Sequence, residues 1–476
     1  MDKFKKLDPL PNHWEWKTIQ EIGKIYSGGT PSTKNQEYFD GDIPWITPAD
    51  LSGYSHKYIS KGRKNISEKG LKSSSAMLLP KDSVLFSSRA PIGYVAIAST
   101  PLATNQGFKS VYPNEGISNE YLYYYLKSIK ALAESKASGT TFLEISKSNF
   151  SRLPFPLPPF PEQERIVSKI EELFTQLDAA EAALKRAKNN LKRYKQSLLQ
   201  AAVTGELTRE WREAHKDELE PASKLLEKIK AERRAKWEAE IRAKGKDPAK
   251  EKYQEPKDLD PNDLPDLPEG WCWVNTIDLV DVGTGATPLR SKAVYYDNGN
   301  IPWITSGSLN NLFVNEADEY ITDLALCETN VKMFPKGSLL IALYGEGKTR
   351  GKVSELNIDS STNQAVAALV FGENAKPTKE YLKIFFRYNY DNIRRLSAGG
   401  VQPNLNLSII KNTKIPLPSI KEQREIIIEV ENKEIIVNEI DQTLQKGLLR
   451  IKSMRNIILH QAFSGKLIQS QSEETL

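Results

Sequence analysis

A chain that repeats its own short motifs in the same order has far fewer folds open to it than its length alone would allow. Trp14-Glu15-Trp16 returns as Trp271-Cys272-Trp273, each behind a Leu-Pro pair. Gly29-Thr30-Pro31 returns as Ala286-Thr287-Pro288, and Ile43-Pro44-Trp45-Ile46-Thr47 returns unchanged at 301–305. Pro80-Lys81 matches Pro335-Lys336, and Thr104-Asn105-Gln106 matches Thr362-Asn363-Gln364. Further on, Pro156-Leu157-Pro158, Glu162-Gln163 and Ala202-Val203-Thr204-Gly205 match Pro416-Leu417-Pro418, Glu422-Gln423 and Ala462-Phe463-Ser464-Gly465. The offset stays between 255 and 260 throughout. Chance does not keep that order, so the chain is a tandem duplication. Its 476 residues also exceed what a single core supports.

Each copy divides by composition. Residues 1–160 and 268–419 are rich in turn formers, aromatics and β-branched residues, with helical stretches at 120–134 and 378–396. They read as two similar α+β domains of short strands and long loops. Residues 161–205 and 420–468 read instead as long helices. In the first, apolar positions fall at Ile166, Ile170, Leu173, Leu177, Ala180, Leu184, Ala187, Leu191, Tyr194 and Leu198. That alternation of 4 and 3 is a heptad seam. The second copy carries Ile426, Val430, Lys433, Val437, Ile440, Leu444, Gly447, Ile451, Met454 and Ile458, with Lys433 and Gly447 as weak points. Pro161 suits a first-turn position, and Gly205 and Gly465 mark the stops. A seam from Ile166 to Leu198 is roughly 50 Å long at 1.5 Å per residue. The expected partner is the other copy, running antiparallel, with packing on its own domain or on another protein as the alternative.

Residues 206–267 have no second copy and read as a charged helical extension followed by a Pro/Asp-rich linker. Ser223, Glu227 and the Leu225, Leu226, Ile229 cluster predict a capped amphipathic helix through Lys246. Its charge run reads as a solvated face or a partner-binding one. Residues 469–476 form a tail.

Reactive chemistry is hard to find. Gly347-Lys348-Thr349 ends a relaxed phosphate-loop pattern, but Arg350-Gly351-Lys352-Val353 continues as turn and strand where a helix is required. Asp258, Asp260 and Asn262 resemble a calcium loop broken by Pro261, Pro265 and Pro268. Leu157-Pro158-Pro159-Phe160 lacks the Asn or Asp with which amino-methyltransferases grip a flipped base, and no glycine-rich loop for S-adenosylmethionine is present. His13, His56, His215 and His460 have no equivalents in the other copy. Two cysteines exclude a disulfide scaffold and speak against zinc. No catalytic site, metal or cofactor is expected. Lys and Arg (66) exceed Asp and Glu (61) by 5, which suits a polyanion only if clustered. No membrane span or signal peptide is read, so a cytosolic protein is expected.

Taken together, the motifs resemble the specificity subunit of type I restriction–modification enzymes. The likeness rests on Gly28-Gly29-Thr30-Pro31-Ser32, Ile43–Thr47, Thr104–Gln106 and Ser138-Gly139-Thr140-Thr141. Pro156–Pro159 with Glu162–Ile166, Ala202–Thr208 and the helix at 225–234 add to it. The second copy departs at Gly285-Ala286 and at Gly399-Gly400-Val401-Gln402. The resemblance implies two target recognition domains, each reading half of a bipartite asymmetric site on double-stranded DNA. It further implies antiparallel spacer helices, two methyltransferase subunits that methylate adenine, and two ATP-dependent restriction subunits. The chain itself would then be no enzyme; the alternatives are a helical protein adaptor and an NTPase using Gly347-Lys348-Thr349. Modules about 50 Å apart would meet neighbouring major-groove segments of a duplex whose turn is about 34–36 Å.

Base edges need Arg, Asn, Gln, Ser or Thr on loops, and phosphates need Lys, Arg and backbone N–H groups. In the first module this selects Thr30, Ser32, Lys34, Thr47, Arg89 and Gln106. In the second it selects Thr287, Arg290, Ser306, Tyr344, Lys348, Arg350 and Gln364. Trp45 and Trp303, beside prolines in apolar settings, read as core. Thr104-Asn105-Gln106 reads either as a contact or as a turn that satisfies its own backbone.

Overall fold

A computed structural model describes residues 9–139, 143–253, 255, 259, 264–345, 349–396 and 404–468. The chain forms two compact units, Met1–Ala187 with Thr443–Leu476, and Lys188–Gln442.

Among its described residues, unit one carries the strands β1 (Glu15–Thr18), β2 (Gly23–Ser27), β3 (Ile43–Ile46), β4 (Tyr58–Ile59), β5 (Lys64–Ile66), β6 (Val84–Phe86), β7 (Val95–Ala98), β8 (Ala103–Thr104), β9 (Lys109–Pro113) and β10 (Pro154–Leu157). They make a five-stranded sheet ordered β2-β9-β6-β7-β4, a three-stranded sheet β5-β3-β8, and the pair β1-β10. Val84, Leu85 and Phe86 are buried on both faces of their strand, which is why β6 reads as an unbroken apolar run. Pro44 is tolerated inside β3 because it lies opposite Asn65 of β5, ahead of the ladder to β8 that begins at Trp45. Helix α1 (Asn119–Ser128) buries Tyr121, Leu122 and Tyr125 against the five-stranded sheet's core and ends at Ile129, with a second short helix at Lys130–Ser135. The stretch read as one helix over 120–134 is thus two.

After β10, helix α2 (Phe160–Thr204) begins with Pro161 in its first turn. Its residues up to 187 belong to unit one. In unit two follow helix α3 (Ala222–Ala243) and strands β11 (Cys272–Asn275), β12 (Asp281–Thr284), β13 (Ile301–Ile304), β14 (Phe313–Val314), β15 (Glu319–Ile321), β16 (Met333–Phe334), β17 (Leu339–Ala342), β18 (Val353–Leu356), β19 (Ser360–Thr362), β20 (Val366–Val370) and β21 (Lys414–Leu417). Between β20 and β21 lies helix α4 (Lys379–Tyr388), and after β21 comes α5 (Ile420–Phe463). The sheets are ordered β12-β20-β17-β18-β14, β15-β13-β19-β16 and β11-β21. Strand for strand this is unit one's topology, with β16 as the one addition. The duplication seen in the sequence is therefore a duplication of fold. The stretch 378–396 is again two helices, α4 and Tyr390–Leu396.

Helix α3 departs from its reading. It starts at Ala222 after Pro221, so Ser223 lies inside it and caps nothing, and it stops at Ala243. Leu225 and Ile229 are buried in unit two's core. The backbone N–H groups of Glu373 and Asn374 donate to Glu232 at 2.7 and 2.9 Å. Arg233 donates to Asp281 at 2.9 Å. One edge of the charge run is thus part of this unit rather than a solvated face.

The two long helices pack antiparallel inside each unit. In unit one, Arg455 donates to Asp178 at 2.5 Å, and Ile166, Ile170 and Leu177 share a core with Ile451 and Ile458. A Cβ on Gly447 would lie 3.0 Å from Leu184, so the expected weak point is where the helices come close. In unit two, Lys195 pairs with Glu434 at 3.7 Å and Lys188 with Asp441 at 3.9 Å. There Leu198, Ile426 and Val430 share a core, and Val437 is buried. The heptad reading needs one correction. Of its two rows, Ile170, Leu177, Leu184, Leu191 and Leu198 stay covered or half-covered, as do Val430, Val437, Leu444, Ile451 and Ile458. The other row begins covered at Ile166, Leu173 and Ile426 but is exposed at Ala180, Ala187, Tyr194, Ile440 and Met454. Small or polar partners such as Ala180, Ala187, Lys433 and Gly447 give that row too little apolar surface to close it.

The Glu-Gln pair opening each long helix ties it to its domain. Glu422 is 1% exposed and accepts from Thr208 (2.8 Å), Arg212 (2.7 Å) and Trp271 (2.7 Å). Among the described residues Glu162 accepts only from the half-exposed His13, at 2.8 Å, and the indole N–H of Trp14 is buried without a partner. Gln163 accepts from the Ser118 N–H at 2.9 Å and donates to the Gly116 and Pro158 carbonyls at 3.1 and 3.0 Å.

Candidate nucleic-acid interface

Close backbone approach assembles the same loop cluster in both units. The Gly29 N–H donates to Thr104 O at 2.9 Å, and a Cβ on Gly28 would lie 1.9 Å from Asn105 O. In unit two the Gly285 N–H donates to Thr362 Oγ1 at 3.1 Å, and its Cβ would lie 1.7 Å from Thr362 O. No side chain fits in either place, so the loop after β2 (or β12) is pressed against the turn before β9 (or β20). Trp45 and Trp303 are buried beneath and donate their indole N–H to Gly29 O at 3.0 Å and Ala286 O at 3.1 Å. They are core groups with a positioning bond.

On the outer face of this clamp, Thr30 donates to Gln106 and Thr287 donates to Gln364, with all four side chains exposed. Each hydroxyl occupies the glutamine oxygen and holds the amide in place, leaving its NH₂ donors turned to solvent. Asn105 makes the turn, its Oδ1 accepting from the Gly107 N–H at 2.9 Å, as does Asn363 for Ala365 at 3.0 Å. The turn reading of this tripeptide therefore holds for Asn105 and Asn363, while Gln106 and Gln364 stand exposed on its outer face.

Thr47 joins the cluster through Asn105, whose N–H donates to Ile46 O at 3.0 Å. Its own N–H and hydroxyl donate to Asp50 at 2.8 and 2.7 Å. Asp50 also accepts from the Arg63 N–H at 3.0 Å. Ser32 and Lys34 are exposed on the same loop as Thr30. Arg89 borders it, because the neighbouring Ser88 N–H donates to Gly107 O at 2.7 Å. Arg89 is not a free cation, however. Glu144 lies 3.5 Å from it and 3.5 Å from the buried Lys109, whose ammonium donates to Gln106 O at 3.4 Å. Burial pulls the Lys109 ammonium below the usual lysine value against the pull of Glu144.

In unit two, Ser306 opens the short turn after β13, and Tyr344 is exposed beside Leu343, whose N–H donates to Ala365 O at 2.8 Å. Arg290 is exposed but already engaged. It pairs with Glu319 at 2.5 Å and stacks 4.7 Å from the Tyr296 ring centre and 4.9 Å from that of Trp303. The Glu319 hydrogen bond raises its already high pKa. Arg350 lies in the loop between β17 and β18, as Arg89 does between β6 and β7. Its Nε is buried without a partner among the described residues, and its carbonyl accepts from Arg394 at 2.9 Å. Lys348 and Gly347 lie outside the described residues, as do Thr140, Thr141, residues 399–402, Asp258, Asp260–Asn262 and the tail. Thr349 is followed by a turn and β18, not by the helix a phosphate loop requires.

Sequence reasoning missed Asp50, Lys109 and Glu144, which set the cluster's electrostatics. It also missed Lys61, Arg63 and Lys64, although three cations within four residues were visible. Among the described residues no group of His, Cys, Asp and Glu could hold a metal, and no helix is long and apolar enough to cross a membrane.

Against known proteins, the family profile described as the type I restriction modification DNA specificity domain matches twice, at residues 11–191 and 268–448. The MjaIX specificity subunit of Methanocaldococcus jannaschii is 30% identical over 98% of this chain and 96% of its own. The EcoKI specificity subunit of Escherichia coli K12 is 24% identical over 84% of this chain and 77% of its own. Among solved structures, a chain from work on complex assembly and conformational transition of the type I R-M system superposes with a TM-score of 0.67 at 19% identity, covering 96% of this chain and 100% of that one. The HsdS subunit of Thermoanaerobacter tengcongensis gives 0.55 at 18% identity, covering 97% and 100%. At those identities the structures speak for the fold.

Proposed function

Because the chain belongs to the type I restriction–modification DNA specificity family, we propose that its two α+β domains each read one half of a bipartite, asymmetric site on double-stranded DNA. The observation that carries this is the repeated Thr–Gln clamp, Thr30–Gln106 and Thr287–Gln364, exposed on a buried Trp–backbone support in both units. An amide held by a hydroxyl is a pre-oriented donor pair, suited to acceptor atoms on a base edge. The loops around the two clamps differ in sequence, so the half-sites differ.

The paired helices set the number of unread base pairs between half-sites. They also carry the docking faces for two methyltransferase subunits, which supply adenine methylation from S-adenosylmethionine; two restriction subunits then add ATP-dependent cleavage. Support for docking comes from α5, where Ile435 and Ile436 are 58% and 57% exposed in unit two and Leu449 is 68% exposed in unit one. The chain contributes no reactive group of its own and works in the cytoplasm, where those partners meet DNA.

The test is a map of methylated adenines from cells carrying the complete system with Gln106→Ala or Gln364→Ala. Each variant should relax one half-site and leave the other intact, at a cost of about 1–3 kcal/mol per lost base contact. Unchanged maps for both variants would remove the clamp from the recognition surface.

A further inference from the structure

The two domains share a topology but not a charge. On unit one, β5 and the residues before it place Lys61, Arg63 and Lys64 along one wall of an open groove, with Lys34 from the Thr30 loop facing them. All four are exposed, and Asp40 is the one carboxylate among the groove's lining residues. Among the described residues, no carboxylate pairs with Lys34, Lys61 or Lys64, while Arg63 lies 3.8 Å from Asp50. The ammonium of Lys64 rests 6.0 Å from the Phe39 ring centre.

Strand β15 is the counterpart of β5, pairing with β13 as β5 pairs with β3. The matching residues there are Glu316, Asp318 and Glu319, a reversal of sign at each of the three cationic positions. Arg290 is then drawn onto Glu319. A solvated edge strand has no need to be basic in one copy and acidic in the other. Repulsion among four cations in one groove is sustained where a polyanion fills it.

We infer that the groove formed by Lys34, Lys61, Arg63 and Lys64 binds the phosphate backbone of DNA beside the first half-site, and that the second domain has no such rail at the equivalent place. This rests on the DNA-reading assignment above and adds which domain supplies sequence-independent grip. A duplex is favoured over an acidic protein surface because the groove adjoins the clamp. Arg63 and Thr47 bind the same Asp50 carboxylate, and Lys34 follows Thr30 and Ser32 on one loop.

The experiment measures duplex affinity of the full chain, assembled with its modification partners, across 50–200 mM salt, on cognate and on random-sequence DNA. For K61Q/R63Q/K64Q, losing three phosphate contacts should lower the log–log salt slope by about 2.7 on both duplexes, making the fall in affinity over that range roughly 40-fold shallower. K61R/K64R should keep the parental slope. The same charge change on α3, K224Q/K228Q/R234Q, should leave it unmoved. An unchanged slope for the groove variant overturns the inference, and so does an equal change from the α3 variant. Weakened subunit assembly with the slope intact also overturns it, in favour of a protein partner. Failure of the parental protein to distinguish cognate from random duplex would instead count against the recognition reading alone, since phosphate binding does not depend on sequence.

Discussion

Replacing Glu422 with alanine strips one carboxylate from three donors at once: the Thr208 hydroxyl, the Arg212 guanidinium and the Trp271 indole. Arg212 is itself only 8% exposed, so the variant leaves a buried cation without its counter-charge. Removing one partner of such a pair costs about 3–5 kcal/mol, far more than the pair's net worth, because the other charge stays desolvated. For a unit of this size, 1 kcal/mol moves the melting temperature by about 2–4 °C, so the loss should be roughly 6–20 °C. The duplication supplies the control. Glu162 holds the same place on α2, but its partner His13 is half exposed, and breaking a surface pair costs about 0–1 kcal/mol. Calorimetry of E422A and E162A side by side should therefore give one large shift and one small one. Arg212→Met combined with Glu422→Leu should recover most of the stability by replacing the charges with apolar groups. Equal shifts for E422A and E162A, or a loss below about 1 kcal/mol for E422A, would refute the argument from burial.

Two other perturbations test separate parts of the structure. Burial alone would raise the Glu355 carboxyl, but hydrogen bonds from Lys379 and Lys383 override it and hold the group below its ordinary value of 4.5. A depressed carboxyl stabilises the fold fully above the unfolded-chain value and loses that contribution as pH falls through the folded one. Unfolding free energies from urea titrations of the parental protein and Glu355→Gln should therefore differ by about 1–3 kcal/mol near pH 7 and converge as pH drops below about 4.5; a gap that widens in acid would contradict this. Gly28→Ala and Gly285→Ala should each push the clamp loop off its neighbouring carbonyl and abolish recognition of one half-site in a methylation map, with little change in far-UV circular dichroism. A normal map from either variant would mean the clamp tolerates displacement.

What the sequence disclosed depended on how local the physics was. The duplication, the α+β character and the long helices follow from residue order and spacing, and β5-β3-β8 and β15-β13-β19 repeat because Ile-Pro-Trp-Ile repeats. Strand order was not legible, since β2 meets β9 across more than eighty residues and nothing local announces it. Helical spacing located the seam but not which of its rows closes; that depends on side-chain size on the facing helix. In the candidate site, Thr30, Gln106, Thr287 and Gln364 were legible because they recur. Arg89 and Arg290 were chosen for their charge, yet the carboxylates that occupy them, Glu144 and Glu319, come from elsewhere in the chain. Lys61, Arg63 and Lys64 were not singled out from the sequence, because their contrast with Glu316, Asp318 and Glu319 appears only once β5 and β15 are placed in register.

The composition of the two units also bears on how the protein is made. Unit two is a single run of chain, Lys188–Gln442, whereas unit one is finished by Thr443 onward. Phe463 packs edge-to-face on Tyr121 and Tyr125, and Gly465 lies against Pro11. A ribosome adding about 5–20 residues per second therefore releases the first-born domain with its aromatic wall open, and the second can close before it. The nascent amino-terminal half must wait, exposed, until the segment from Thr443 onward has been made.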